Sequence, residues 1–444
     1  MDDEINDIKP LDIKIAKIKF PGLFPLWIAV FIDILGFTLI IPFLPFFIKE
    51  LTLPVPELQP IFDLFPYSPT VALMVGIALA TNAVFGFFFG PILGSLSDKY
   101  GRRPLLLISQ FGTLSAFVML AFSTSYEMVL ISRIIDGVFG GNFPIAKAVI
   151  GDVVPPKHRA PQMTNVGVAH VLASLFGPAL GGFLYTRWGI IAPGLFSACL
   201  SLLTIIVTFF YLKESAPIKS HFQPKKENPI QNIPIKPTSI KPDVKSRPIW
   251  KNGLAMFLLI QWAFHTISFM VYISNIALFA DIRLHMKPDE IGFYMSLSGI
   301  ARLIIRFYIF EPTLKKFGDK RTSQIGLTCF VIAFFAMAFV QDFLQFLLVL
   351  MLVSYAASCS RGVLISFQSR SVSPKKQGKM GGLNTSLDNL AQIIGPLLGS
   401  FILGTFGSTW FAMVATLLAI AAFSMSFRPI VFQYEAKPSQ KPHH

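Results

Sequence analysis

The sequence predicts an all-α, polytopic membrane protein with twelve transmembrane helices in two pseudo-symmetric six-helix bundles. Composition is the first observation: 53% of the 444 residues are hydrophobic and only 14% are charged, whereas a soluble domain carries about 25% charged residues. The second observation is a series of long apolar runs, and the third is a repeat at a fixed distance along the chain. In lipid, only helices and closed barrels satisfy every backbone hydrogen bond. Because the apolar runs are far longer than barrel strands, we expect helices.

About twelve apolar runs approach the roughly 20 residues that a bilayer-spanning helix needs. In chain order the predicted spans are 24–48, 70–94, 104–123, 126–150, 160–185, 190–212, 251–280, 289–311, 321–340, 343–368, 377–404 and 407–428. Residues 213–250, after the sixth run, are rich in proline and lysine, which is typical of a linker. The sequence therefore predicts five regions: a tail 1–23, an N-terminal bundle 24–212, a linker 213–250, a C-terminal bundle 251–428 and a tail 429–444.

Loop charge predicts the orientation of the spans. One set of loops includes the lysine-rich linker and is strongly basic, through Lys99, Arg102, Arg103, Lys157, Arg159, Lys315, Lys316, Lys320, Arg321, Lys375, Lys376 and Lys379. The alternate loops carry acids, namely Glu50, Glu57, Asp63, Glu127, Asp281, Asp289 and Glu290. Because cytoplasmic loops are enriched in Lys and Arg, we expect a multi-pass protein of the plasma (inner) membrane with both termini in the cytoplasm. The net charge of +14 follows this loop pattern, so we do not expect nucleic acid as a partner.

Two stretches indicate an internal duplication. LFGPALGGFLYTRWG in the fifth span matches IIGPLLGSFILGTFG in the eleventh. The matched positions share an offset of 218 residues: Gly177 and Gly395, Pro178 and Pro396, Gly189 and Gly407. Repeats of this kind are common in transporters, and two parallel repeats fit the division into two halves.

The stretch GSLSDKYGRRP, residues 94–104, follows the pattern Gly-x-Leu-x-Asp-x-x-Gly-Arg-Arg between the second and third spans. It resembles the signature loop of the major facilitator superfamily, and the twelve-helix count with a central linker agrees. The resemblance implies a cytoplasmic gate that latches the outward-open state, with Asp98 facing the N-terminus of the eleventh helix near Gly381. The gate residues implied are Gly94, Asp98, Gly101, Arg102 and Arg103, with Asp152 as the partner of Arg102.

A degenerate second copy of this loop, EPTLKKFGDKR, lies between the eighth and ninth spans. A shift of 217 residues brings Arg102 to Asp319, and a shift of 218 brings Asp152 to Arg370. The two charges are exchanged but remain complementary. We therefore predict an Asp319–Arg370 contact that mirrors Arg102–Asp152 and forms part of the gate.

Three motifs resemble one branch of the superfamily, the drug:H+ antiporters that include the tetracycline exporters. DILGFTLIIPFLP in the first span resembles their first helix, and RIIDG in the fourth resembles an Arg-x-x-Gln-Gly element. ASLFGPALGG in the fifth resembles the Gly-Pro-x-x-Gly-Gly antiporter motif, although Ala173 stands where glycine is usual. The antiporter motif residues implied are Gly177, Pro178, Gly181 and Gly182. A packing kink is the alternative explanation of this motif.

Three ionisable residues within the N-terminal spans are candidates for proton coupling, because such residues are costly in a membrane. Asp33 lies in the first span, where a low-dielectric cavity favours the protonated carboxyl group; a structural acid is the alternative. Arg133 and Asp136 are three residues apart and therefore share a helix face. They form either an internal ion pair or part of the proton site, in which Arg133 tunes an acid and Asp136 is a second proton carrier.

Five further polar residues in the spans are candidates for a substrate cavity: His170, His265, Arg302, Arg361 and Asp388. His170 and Asp388 again differ by 218 positions, which predicts a shared central cavity; a histidine that faces a polar neighbouring helix is the alternative. We expect Lys147 and Arg306 to snorkel toward the cytoplasm. Since both signs of charge occur, the sequence leaves the charge of the substrate open.

The sequence contains no Gly-x-x-x-x-Gly-Lys-Ser/Thr loop for ATP, no Cys/His metal cluster and no nucleophile motif. We therefore expect no enzyme and no metal or cofactor site. The expected partners are a small-molecule substrate, protons and the lipid bilayer, with the chain as a monomer. The first hypothesis is a proton-coupled antiporter that exports a small amphipathic molecule or drug by alternating access. The alternatives are a symporter or facilitator that takes up a nutrient or metabolite, anionic ones included, and a membrane receptor or scaffold.

Overall fold

The computed structural model describes residues 24–52, 69–140, 142–154, 156–215, 249–373 and 376–428. Regular secondary structure in these ranges is helical throughout, which confirms the predicted all-α class. Among the described residues, eight helices are long and apolar enough to cross a membrane, or nine if the bent pair at the start is one span. Both predicted tails and residues 216–248 of the predicted linker lie outside the described ranges.

The N-terminal half contains two predicted spans that are broken. Its helices are α1 (Phe24–Ile40), α2 (Leu44–Thr52), α3 (Pro69–Tyr100), α4 (Arg102–Ala121), α5 (Tyr126–Val138), α6 (Asn142–Val153), α7 (Pro156–Trp188) and α8 (Ile191–Tyr211). Pro42 lacks an amide hydrogen and disfavours helical backbone before it, so α1 and α2 meet at 43° inside the predicted span 24–48. Gly140, a poor helix former, lies in the break between α5 and α6 inside the predicted span 126–150.

In the C-terminal half, two predicted spans are joined. Its helices are α9 (Gly253–Leu284), α10 (Pro288–Ile304), a π-helical segment (Ile305–Ile309), α11 (Phe310–Met337), α12 (Phe343–Arg370), α13 (Gln377–Phe406) and α14 (Ser408–Ser424). The stretch Pro288–Met337 runs for 50 residues, about 75 Å of helix against a hydrocarbon core of about 30 Å. Gly318 interrupts it with φ 71° and ψ 169°, a conformation that glycine adopts easily.

Backbone conformation repeats between the halves at two helix junctions. Gly101 and Gly318 have φ of 106° and 71°, and Gly189 and Gly407 have φ of 65° and 83°. The second pair was matched by the sequence repeat. The shared left-handed φ supports the internal duplication.

The two halves pack together at one end and separate at the other. Between the halves, α3 packs on α13 and α7 packs on α10. The largest apolar cluster takes residues from both halves, for example Phe43 and Phe279, whereas the clusters nearer the basic loops each belong to one half. On α3 and α13, the Cβ positions of Gly94 and Gly381 have nothing within 4 Å. Among the described residues, the apolar contacts between the halves therefore lie at the end opposite the basic loops.

Candidate functional site

One buried network in the N-terminal half contains the three residues predicted for proton coupling. Asn142 Nδ2 on α6 donates to Asp33 Oδ1 on α1 at 2.9 Å. Asn82 Nδ2 on α3 donates to Asp136 Oδ2 on α5 at 2.8 Å, and Arg133 Nη1 lies 3.4 Å from the same oxygen. Asp33 and Asp136 lie within electrostatic range of each other. Four helices thus meet at one polar centre.

The two acids of this network have different partners. Asp136, 7% exposed, pairs with Arg133, which is 2% exposed, so the internal ion pair, one of the two alternatives from the sequence, is present. Asp33 is held instead by the neutral amide of Asn142. Asn82 and Asn142 were missed by the sequence analysis, which weighed only ionisable side chains within the spans.

A second network, in the C-terminal half, joins Arg361 and Asp388. Arg361 Nη2 on α12 lies 2.8 Å from Asp388 Oδ2 on α13, and the arginine side chain is 41% exposed. Thr266 Oγ1 on α9 donates to Asp388 Oδ1 at 3.0 Å. The guanidinium of Arg361 also lies over the Trp262 ring, 5.1 Å from its centroid. Two of the predicted cavity residues are therefore brought together.

Two further cations lie close to this pair. Lys147 on α6 is exposed and within electrostatic range of Asp388 and Arg361 across the two halves. The expectation that Lys147 snorkels toward the cytoplasm stays a prediction, and its electrostatic neighbours belong to the other half. Arg302 on α10 is within electrostatic range of Arg361 and of the buried Tyr272.

The surroundings of Arg302 are confined. Its Nε is buried and makes no hydrogen bond within the described part of the chain. With Tyr272, Ser298 and Ser354 it lines a cavity of about 20 Å³ between α9, α10 and α12. Arg306, four residues later, is exposed and stacks on Phe310.

The two predicted histidines have different outcomes. His265 is 5% exposed, and its ring lies 5.7 Å from Trp262 and 5.1 Å from Phe330, centroid to centroid. These aromatic neighbours enclose the His265 ring, and its place in a substrate cavity stays a prediction. The side chain of His170 lies outside the described part of the structure.

The Gly-Pro-x-x-Gly-Gly motif on α7 packs against two helices at once. A Cβ on Gly177 would lie 2.0 Å from Thr38 Oγ1, and one on Gly181 would lie 1.9 Å from the Leu39 carbonyl oxygen, both on α1. On its other face, a Cβ on Gly182 would lie 2.1 Å from the carbonyl oxygen of Pro288 on α10. The motif thus fixes packing within the N-terminal half and between the halves.

The matching motif on α13 likewise packs against one helix of its own half and one helix of the other half. A Cβ on Gly395 would lie 2.7 Å from the Met270 backbone on α9, within the C-terminal half. Across the halves, a Cβ on Gly76 of α3 would lie 1.9 Å from Ser400 Oγ and 2.8 Å from the Pro396 carbonyl oxygen. Both copies of the motif therefore have one contact within a half and one between the halves.

The loop 94–104 contains the expected contact between Arg102 and Asp152. Arg102 Nε lies 2.8 Å from Asp152 Oδ2, and Arg102 Nη1 donates to Ser97 Oγ at 2.7 Å. Asp98 Oδ1 lies 2.5 Å from Arg102 Nη2. The expected approach of Asp98 to the start of α13 near Gly381 is not made here: Asp98 pairs with Arg102, and a Cβ on Gly381 would meet nothing within 4 Å.

The second copy of the loop contains the predicted contact. Arg370 Nη2 donates to Asp319 Oδ2, and the Arg370 guanidinium lies over the Phe367 ring at 5.3 Å. The predicted exchange of charges between the copies is thereby confirmed. The pair is more exposed than its counterpart, at 34% and 42% against 10% and 23%.

Glu214, which the sequence analysis placed in the linker, binds the start of α4. Its two carboxylate oxygens accept from Arg102 N at 2.8 Å and Arg103 N at 3.1 Å. The free amides and positive dipole of a helix N-terminus favour such a carboxylate. Arg103 also donates through Nη2 to the Phe209 carbonyl oxygen. The predicted start of the linker at residue 213 is therefore too early, because Glu214 still contacts the N-terminal half.

Comparison with protein-family models tests the resemblance of these motifs. The model described as Major Facilitator Superfamily matches residues 26–283 and 263–443. The chain belongs to the major facilitator superfamily. Its transport role follows from this membership.

Curated relatives of this superfamily member are drug-resistance proteins. The chain is 28% identical to "Tetracycline resistance protein, class H" of Pasteurella multocida over 84% of this chain and 86% of the relative. It is 25% identical to "Multidrug resistance protein 2" of Bacillus subtilis (strain 168) over 84% and 86%. The predicted likeness to drug exporters is confirmed.

Solved structures confirm the superfamily fold. The crystal structure of a D-xylose-proton symporter superposes with a TM-score of 0.66 at 15% identity, covering 91% of this chain and 96% of the symporter. At this identity the likeness concerns the fold, which both exporters and uptake systems of the superfamily share.

Proposed function

We propose that this chain is a proton-coupled antiporter that exports a small amphipathic molecule by alternating access. The observation that carries the proposal is the Asp33–Asn142 hydrogen bond inside a membrane helix bundle, beside the Arg133–Asp136 pair. A neutral amide partner allows a carboxyl group to gain and lose a proton, whereas a fixed cation favours the charged form. Asp33 is therefore the proposed proton carrier, with Asp136 and Arg133 setting its electrostatic surroundings.

The proposed architecture has twelve spans in two bundles, 24–212 and 251–428, joined by a linker 213–250. The bent pair α1–α2 forms one span, α5 and α6 form another, and Gly318 divides Pro288–Met337 into two. The basic loops, the linker and the tails 1–23 and 429–444 lie in the cytoplasm, at the plasma (inner) membrane. The chain acts as a monomer.

Under this orientation the structure is open to the cytoplasm, and export requires the two halves to rock. In the inward-open state, Gly182 and Gly76 allow close packing at the outer end. In the outward-open state, the two charged loops close the cytoplasmic end, with Asp98 at the start of α13. Proton binding to Asp33 favours one state and substrate binding favours the other. Binding of the proton therefore promotes release of the substrate, and binding of the substrate promotes release of the proton.

Flux in proteoliposomes tests this proposal, with radiolabelled tetracycline as the probe because of the relatives' names. In vesicles that are acidic inside, an antiporter accumulates the probe as protons leave. We expect Asp33→Asn to reduce this accumulation to the level of protein-free vesicles. Probe exchange without a gradient should persist in the variant, since the cavity is intact.

Asp342→Asn is the matched control for Asp33→Asn. Asp342 Oδ1 accepts from Gln345 N at 2.8 Å at the start of α12, and asparagine caps a helix about as well as aspartate. Gradient-driven accumulation should remain in this variant. Accumulation that requires acid outside the vesicles would support the uptake alternative and overturn antiport, as would transport that ignores the gradient.

A further inference from the structure

We propose that Arg302 anchors an anionic group, a carboxylate or similar oxyanion, on the transported molecule. This inference rests on the proposed transport function and adds its substrate class. Arg302 Nε is buried without a hydrogen bond, and the described residues provide no ion-pair partner for its guanidinium. Arg302 is half-buried as a whole, and a buried guanidinium nitrogen without a hydrogen bond is unfavourable, so its presence inside a membrane span points to a ligand.

The other charged residues within the spans support an anion. Arg133 is paired with Asp136 and Arg361 with Asp388, so these cations already have acids. Arg302 and Lys147 both lie within electrostatic range of Arg361. The cluster of Arg361, Arg302 and Asp388 thus contains two cations and one acid. A cleft with an excess of one charge concentrates ligands of the opposite charge.

The geometry around Arg302 fits one end of a ligand. The cavity that it lines measures about 20 Å³, which suits an oxygen atom or a water molecule but not a whole drug. A guanidinium presents a planar fork of donors that matches the two oxygens of a carboxylate. The cavity wall includes Met295 and Val353 beside Ser298 and Ser354. The small cavity would therefore take the anionic end of the molecule and leave its apolar body outside the cavity.

A binding experiment tests the charge preference without any gradient. The probes are 1-naphthylacetate, its neutral amide 1-naphthylacetamide, and the cation 1-naphthylethylammonium, which share one ring system. Purified full-length protein in detergent is heated with each probe, and a thiol-reactive dye reports unfolding through the native cysteines. The concentration dependence of the unfolding temperature provides apparent dissociation constants.

We expect naphthylacetate to bind the wild-type chain about tenfold or more tightly than the amide, as a charge-assisted hydrogen bond predicts. Arg302→Gln should abolish this preference, and Arg302→Lys should retain part of it. Arg306→Gln is the matched control, since Arg306 lies one turn away, is exposed and stacks on Phe310 at 5.2 Å. Its anion preference should equal that of the wild type.

Three results would overturn the anion site: equal or tighter binding of the amide or the cation, no response to naphthylacetate at millimolar concentration, or an unchanged preference in Arg302→Gln. If Arg302→Gln does not fold, Arg302→Lys takes its place: a folded Arg302→Lys variant whose anion preference equals that of the wild type would overturn the site, and a reduced preference would support it. Loss of antiport in the flux experiment with an intact anion preference would overturn the proposed coupling and leave the site standing. Intact antiport without an anion preference would overturn the anion site and leave the proposed coupling standing.

Discussion

At the scale of single residues, asparagine side chains decide how the two N-terminal acids are held. Asn142 provides Asp33 with an uncharged donor, and Asn82 provides Asp136 with a donor in addition to Arg133. Buried carboxyl groups need such donors. Two acids that look equivalent in the sequence therefore have different partners, and this difference is the basis on which Asp33 is proposed as the proton carrier.

Glu214 carries a prediction at this scale. Glu214→Ala should lower the free energy of unfolding by roughly 0.3–1 kcal/mol, because the first amides of α4 lose their carboxylate. Equilibrium unfolding in mixed detergent micelles measures the change. Lys213→Ala, at the exposed preceding residue, is the control and should be neutral. Equal stability of the two variants would rule out the cap.

At the scale of helices, the glycines of the two Gly-Pro motifs and their partners determine how closely the halves approach. Gly182 on α7 faces the Pro288 carbonyl oxygen on α10, and Gly76 on α3 faces Ser400 on α13. Small residues allow this backbone approach, which drives helix association in membranes. The same four helices must separate at this end if the transporter opens outward.

Gly76→Ala should therefore shift the chain toward the outward-open state, since its Cβ would lie 1.9 Å from Ser400 Oγ. Spin labels at Lys99 and Lys379, in a background without native cysteines, report the separation of the basic ends. We expect shorter distances in Gly76→Ala than in the parent.

Gly90→Ala is the control on the same helix, because a Cβ there meets nothing within 4 Å. Its distance distribution should match the parent. If Gly76→Ala also matches the parent, the contact between α3 and α13 does not restrain the outer end.

At the scale of the whole molecule, an ion pair joins the halves at the closed end. Lys49 Nζ, after the bend between α1 and α2, lies 3.6 Å from Asp281 Oδ2 near the end of α9. The two charged loops at the opposite end keep their pairs within one half each. In this state, therefore, Lys49–Asp281 stabilises the assembly, whereas the loop pairs stabilise the halves separately.

Lys49→Gln should raise the ratio of outward-open to inward-open molecules about 1.4- to 5-fold, as expected for a partly exposed ion pair. The same spin-label pair measures the two populations. The charge-exchanged double variant Lys49→Asp with Asp281→Lys should restore the parent ratio, and Asp342→Asn should not change it. An unchanged ratio in Lys49→Gln would show that the pair does not favour closure.

Much of the fold could be predicted because its signals are local. The length of apolar runs predicts helices, and the repeat offset matches Gly189 with Gly407 and predicts the Asp319–Arg370 contact. Helix breaks at Pro42 and Gly140 were missed because short breaks hardly change the apolar pattern. The electrostatic neighbours of Lys147 could not be predicted, because snorkelling is argued from depth along one helix, whereas these neighbours belong to the other half.

The sequence alone determined the superfamily, the two repeated halves and the charged residues that must be accommodated within the spans. Only the tertiary structure decided which charges are matched. Arg133 and Arg361 have acids, Asp33 has an amide, and Arg302 has no ion-pair partner within the described residues. The physical reason is that apolar length and repeat spacing are properties of one segment, whereas the electrostatic environment of a buried charge depends on side chains that arrive from other helices.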